Sequence, residues 1–332
     1  MPDSPSADTT TQGPNLGFIV GHYKSGSTWL AHLLALHPDV RMLSETHIFR
    51  YAWEHDTLAA ASAELFNDSA WGKGGAMAFP KRFASDLTRP LRRAFGLAQG
   101  TASLDTEDVP NTRHDLGWFR QRALQARLEE EADPVAFCRR FFGELAERHG
   151  RHRMTIEKTP TNVFQVSRIR EAFPQAKLVS IHRDGRDVVI SDAHHLRRAY
   201  NREQRFADSV SGWVRAMEAE LDAVESCDIH QLSYEDLHAD PEARVRELLD
   251  FLGLSSDADD VRRMIDMSSF EAMSGGRKPG EEQASSFHRK GVVGDWRGKL
   301  DERELGEFAA IGGPMLVRLG YEESPKLEDW NL

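Results

Sequence analysis

The chain has 332 residues, 40% of them apolar, which is enough to bury a sizeable core and excludes a largely disordered polymer. Its 42 Lys and Arg face 53 Asp and Glu, a net charge of -11, so general attraction to nucleic acid or an anionic membrane is excluded and any anion site must be built locally. Cys138 and Cys227, the only cysteines, are too few for a disulfide framework and are not spaced as metal ligands, so a reducing, cytoplasmic setting is expected.

The first fifteen residues, MPDSPSADTTTQGPN, are polar, with neither a basic region nor an apolar core. They read as a flexible tail over 1–15 rather than a signal peptide, and no later run approaches membrane-spanning length. One domain is expected over 16–332. LGFIVG, from Leu16, is a short apolar run closed by a glycine. STWLAHLLALHP then sets Trp29, Leu30, Leu33, Leu34 and Leu36 on a helical stripe stopped at Pro38. VRMLSE reads as a second strand. Residues 51–150 hold helical stretches such as WFRQRALQARLEEE and PVAFCRRFFGELAERHG between Gly- and Pro-containing loops, and are expected to form a helical insertion on the substrate side of the sheet. RMTIEK is a third strand with Met154 and Ile156 alternating, NVFQVSRIREAF a helix ended by Pro174, and KLVSIH a fourth strand. A helix follows from about Asp187, with Arg186 and Asp187 expected to pair and cap it. DIHQLSYEDL offers a fifth strand, and PEARVRELLDFLGL begins with Pro241 and ends at Gly253, as helices prefer. Residues 274–299, rich in Gly, Ser and charge, read as a mobile surface loop. Strands alternating with helices predict a single three-layer α/β domain around a central parallel sheet.

The strand–loop–helix FIVGHYKSGSTW, residues 18 to 29, has the glycine spacing of a phosphate loop at Gly21 and Gly26. In the nucleoside triphosphate version, G-x-x-x-x-G-K-[ST], the lysine follows the second glycine and the next hydroxyl holds Mg²⁺. Here Ser27 follows Gly26, and Lys24 lies inside the loop. The helix N-terminus can still receive an anion, but the metal-centred triphosphate arrangement is missing.

KSGSTW closely resembles the KSGTTW loop of sulfotransferases that use 3′-phosphoadenosine 5′-phosphosulfate. The resemblance implies the P-loop-like sulfotransferase fold, with Lys24 on the bridging region of the phosphosulfate and Ser25, Gly26, Ser27 and Thr28 around the 5′-phosphate. Trp29 would stack on adenine. In LVSIHRDGRDVVIS, Arg183 precedes Ser191 by eight residues, as in the family's 3′-phosphate motif. An arginine leaving a strand and a serine two turns into the next helix can converge on one phosphate. FHRKGVVGDW resembles the segment that closes over the nucleotide, which implies that Arg289, Lys290 and Gly291 contact the 3′-phosphate and Phe287 the adenine. YEDL puts Tyr234 where the family has an adenine-contacting tyrosine.

The resemblance also bears on chemistry. In-line sulfuryl transfer develops charge on the bridging and sulfuryl oxygens, and Lys24 with Lys158 of EKTP would meet it. No metal is expected. The family's cytosolic members carry a KTH segment whose histidine is the base, whereas here Pro160 occupies that position. SETHIF instead resembles the EPHFF and EVHFF segments of carbohydrate sulfotransferases, which makes Glu45 the expected base and His47 its rival. The acceptor would be a hydroxyl or amine of a small molecule, carbohydrate or lipid. A P-loop kinase would need a lysine in place of Ser27, and the intact Lys24, Arg183, Ser191 and RKG segment argue against a non-catalytic nucleotide binder that has lost the activity.

Overall fold

The computed structural model describes residues 15–67, 118–148, 153–195, 202–281 and 290–332, so the expected tail, apart from Asn15, lies outside the described residues. Five strands are present: β1 Leu16–Gly21, β2 Val40–Ser44, β3 Met154–Lys158, β4 Lys177–His182 and β5 Ile229–Ser233. They form one sheet in the order β2-β3-β1-β4-β5, with every neighbouring pair parallel. β1 is central, and all six of its residues are buried, as expected when helices cover both faces of a parallel sheet.

Alternation along the strands divides the core in two. Leu16, Phe18 and Val20 face one layer, and Ile19 faces the other. The first layer is built from α2 Ile48–Glu54, α3 Leu58–Asn67, α4 Trp118–Glu129 and α5 Pro134–Arg148, followed by α6 Val166–Ala172, α7 Gly185–His195 and α8 Arg202–Ser226. The second contains α1 Ser27–Ala35, α9 Tyr234–Ala239, α10 Pro241–Leu252 and α11 Ala258–Met267, with short α12 Phe270–Met273 beyond it. A last helix, α13 Glu302–Arg318, returns to pack on α8. Phe18 anchors the first layer, meeting Phe49 of α2 and Phe142 of α5 edge-on with ring centroids 5.4 Å apart in both cases. Truncating a buried aromatic of this kind costs about 3–5 kcal/mol.

Two local expectations are corrected. The segment after β3 begins as a 3₁₀ turn, Pro160–Gln165, and becomes α-helical only at Val166. Pro160 has no N–H for the ladder, and Asn162 N–H bonds back to Thr159 O at 2.9 Å, three residues away, which tightens the turn. Nor do Arg186 and Asp187 pair. α7 starts at Gly185, and Asp184 supplies the cap, accepting Arg186 N–H at 2.9 Å. Arg186 is buried in ion pairs with Asp184 at 2.7 Å and Glu322 at 2.5 Å, whereas Asp187 turns to Arg183 at 2.9 Å. In a helix residues 186 and 187 point about 100° apart and cannot pair, whereas Arg183, at the end of β4 and ahead of the helix, reaches Asp187 from outside it.

Candidate active site

The β1–α1 loop turns at the end of the central strand because glycines permit it. A Cβ at Gly21 would collide with the Ile181 carbonyl, and one at Gly26, whose φ is 94°, would lie 2.6 Å from the Tyr234 ring. Gly26 caps α1 without a side-chain bond, leaving backbone N–H groups at the helix N-terminus for an anion. Ser25 is fully buried, and its Oγ has no hydrogen-bond partner.

Lys24, Gly26, Ser27, Thr28 and Trp29 line a cavity of about 310 Å³. Arg183 at the end of β4, Ser191 of α7 and Tyr234 of α9 line the same cavity, as do Lys290 and Gly291. Residues from four distant stretches of sequence therefore meet around one space. Ser25 sits in the loop beneath it. Phe287 and Arg289 lie outside the described residues. Ile265, Phe270 and Met273 complete the wall from α11 and α12, an apolar surface with no motif to announce it. Trp29 also packs edge-on to Tyr234, with centroids 5.3 Å apart, and leans on the core.

Arg183 is held from several sides. Its guanidinium donates to Asp187 Oδ2 at 2.9 Å and to Val292 O at 2.8 Å, and lies 4.3 Å from the Tyr234 ring centroid. Its Nε is buried without a partner. Asp187 also accepts the backbone N–H of Gly294 at 2.8 Å and of Trp296 at 3.0 Å, and so ties the segment following Lys290 to α7. Lys290 itself pairs with Asp295 at 2.5 Å. Gly291, with φ 62°, passes so close to the Phe270 ring that a Cβ could not be accommodated.

A second cluster adjoins the loop. Glu45 follows β2, and its N–H donates to Lys158 O at 2.6 Å. Lys158 Nζ in turn donates to Glu45 Oε1 at 2.6 Å; the lysine side chain is 3% exposed and the glutamate 39%. Burial alone would push the Glu45 carboxyl up, but the charge and hydrogen bond of Lys158, with His47 and Lys24, outweigh it and hold the group below the usual carboxylate range. Burial lowers the Lys24 ammonium, opposed by Asp192 and Glu45 and reinforced by Lys158. Among the described residues, the non-glycine positions with positive φ are Lys24, Glu45 and His47. Each such conformation costs on the order of 1–3 kcal/mol and persists only where the surroundings impose it.

Several members of this region carried no signal in the sequence. His22, beside Lys24, is held down by burial against the raising effects of the Tyr23 carbonyl and Asp192. Asp192 of α7 accepts from Ser209 at 2.9 Å and faces Lys24 electrostatically. Glu157 lies under the Glu45 turn, bonded to Thr46 and Thr159. A β3 carboxylate with its partners on another strand's turn has no local spacing by which to be found. Among the described residues, no group of three or more His, Cys, Asp or Glu is arranged to hold a metal ion, and no helix is long and apolar enough to cross a membrane.

Comparison with known proteins identifies the family. Residues 18–259 match the model of the sulfotransferase family. The omega-hydroxy-beta-dihydromenaquinone-9 sulfotransferase of Mycobacterium tuberculosis is 35% identical over 262 residues, 75% of this chain and 65% of that protein. A flavonol sulfotransferase-like protein of Flaveria bidentis is 31% identical over 150 residues, 36% of this chain and 48% of that protein. The chain thus spans between about half and two thirds of the length of these relatives. In fold it is similar to the sulfotransferase domain of the Synechococcus PCC 7002 olefin synthase, with a TM-score of 0.52 and 19% identity over 88% of this chain and 91% of that one.

Proposed function

The chain belongs to the sulfotransferase family, and from that premise we propose that it moves the sulfuryl group of 3′-phosphoadenosine 5′-phosphosulfate to an acceptor hydroxyl, with Lys24 and Lys158 meeting the developing charge and Glu45 taking the proton. The observation that carries this reading is the meeting, around one cavity, of the β1–α1 loop, Arg183, Ser191, Tyr234 and Lys290. Buried atoms without partners, Ser25 Oγ and Arg183 Nε, fit a ligand with anionic groups at two ends. Trp29 and Tyr234 offer aromatic surface for a base between those ends.

The donor supplies an activated sulfuryl group: its S–O bond to phosphate breaks as the acceptor oxygen bonds to sulfur. Lys24 stands in the loop ahead of α1, half-buried. Lys158 holds Glu45 Oε1, which keeps the carboxylate ionised and oriented at neutral pH and leaves Oε2 to accept the acceptor's proton. The named activity of the mycobacterial relative supports a hydroxyl on a small or lipid-like molecule as the acceptor.

The test is transfer of label from ³⁵S-labelled donor to a panel of phenols, isoprenoid alcohols and sugars, with and without EDTA. Labelled product that survives chelation is expected, because lysines supply the positive charge. ATP-dependent, chelator-sensitive phosphorylation of the same panel would overturn the reading.

A further inference from the structure

β3 ends Glu157-Lys158 before Thr159, and these two consecutive residues grip two consecutive residues of the turn after β2. Lys158 holds Glu45; Glu157 holds Thr46. Glu157 is 1% exposed. Its Oε1 accepts the Thr46 backbone N–H at 3.0 Å, Thr46 Oγ1 at 2.9 Å and Thr159 Oγ1 at 2.5 Å, and its Oε2 accepts Asn162 Nδ2 at 3.0 Å. The buried Thr46 lies between Glu45, at φ 49°, and His47, at φ 53°. Left-handed backbone on both sides of one residue is not a state that a free turn keeps, so it must be imposed from outside. The other side-chain bonds to this turn's backbone, His47 N–H to Thr159 Oγ1 and Ile48 N–H to Thr46 Oγ1, are long at 3.5 Å. Glu157 supplies the short one, at the Thr46 N–H.

We propose that Glu157 is a positioning residue for transfer: by fixing Thr46 it sets the turn that presents Glu45 to Lys158 and to the acceptor. This rests on the reading of Glu45 as base. Glu157 cannot reach the acceptor itself, because it is enclosed and both its oxygens are occupied. Burial drives its carboxyl upward, against the Thr159 and Thr46 donors and the charge of Lys158. What the turn needs is an acceptor atom in that place. Glutamine can provide it: Oε1 would keep its three donors, and Nε2 would donate to Asn162 once that amide flips.

The test uses the full chain carrying Glu157→Ala, Glu157→Gln or Thr46→Val, with four readouts: kcat and KM, affinity for adenosine 3′,5′-bisphosphate, the pH–rate profile, and ¹³C-carboxyl NMR titration of Glu45. Glu157→Ala is expected to lower kcat about 10²-fold, as small misplacements of catalytic groups do, with bisphosphate affinity within about twofold of wild type. Glu45 is faced by Lys158 from β3, Lys24 from the β1–α1 loop and His47 from its own turn. Loosening its contact with Lys158 removes a stabiliser of the carboxylate, so its titration and the acid limb of the rate should both move to higher pH. Thr46→Val should shift both in the same direction by less, and Glu157→Gln should restore kcat to within about fivefold. Unchanged kcat and Glu45 titration in Glu157→Ala, or damage by Gln equal to that by Ala, would overturn the proposal. If the Ala protein does not fold, Gln and Thr46→Val decide: both must behave as stated. A Glu45 titration that moves while the rate profile stays fixed would keep the positioning role and reject Glu45 as base.

Discussion

Glu45 is pulled in two directions. A base should be avid for protons, yet Lys158, Lys24 and His47 outweigh burial and hold its carboxyl low. A base must be deprotonated, so activity should fall as pH drops through the Glu45 value, below the ordinary glutamate range of about 4.3. A histidine base would put that limb near 6.5. On the alkaline side Lys24 must keep its proton, and burial lowers it, so activity should decline below the ordinary lysine value of about 10.4. A kcat/KM profile flat from about pH 5 to 8 is expected, and an acid limb centred near the ordinary histidine value of about 6.5 would transfer the role to His47. Glu45→Gln should cost about 10²- to 10⁴-fold in kcat, with bisphosphate affinity little changed, and His47→Ala less. The candidacy of Glu45 was legible from its place after a predicted strand. Its strained φ and its pairing with Lys158 were not, because both arise from contact with β3, more than a hundred residues away.

At the scale of elements, the strands and the β1–α1 loop could be read from the sequence because apolar runs and glycine spacing are local properties. The closing of the segment after Lys290 could not, because it depends on Asp187, whose residue type suggested a helix cap. Asp187 instead takes Arg183 and two backbone N–H groups, at Gly294 and Trp296. Asp187→Asn would turn an amide N–H toward donors, leaving Arg183 buried and poorly paired. A loss of about 3–5 kcal/mol is expected, read as a lower denaturation midpoint, together with weaker bisphosphate binding. Retained stability and affinity would show that the segment holds itself in place. The second support of this region was equally hidden: Arg186 lies 3.9 Å over the Trp296 ring and 4.9 Å from Trp330, while Tyr321 bonds Glu235 at 2.8 Å. The C-terminal stretch thereby braces both the GDW and YEDL segments, a long-range arrangement without a sequence period.

The whole molecule carries a net charge of -11, yet it gathers Lys24, Lys158, Arg183 and Lys290 around the C-terminal edge of its sheet. In an open α/β sheet that edge is where ligands bind, and there the fold opposes its own overall charge. The stretch 51–150, expected on the substrate side, was the least legible part, since no motif covers it. The central claim is that this cavity recognises a nucleotide by a 3′-phosphate as well as a 5′-phosphate. It is tested most directly by thermal denaturation with adenosine 3′,5′-bisphosphate or AMP, on wild type and Arg183→Ala. A ligand at a hundred times its Kd stabilises by about 2.7 kcal/mol. The account predicts a clear rise in Tm with the bisphosphate, little with AMP at the same concentration, and loss of most of that difference in Arg183→Ala. Equal shifts from the two nucleotides, or a bisphosphate shift untouched by Arg183→Ala, would contradict it.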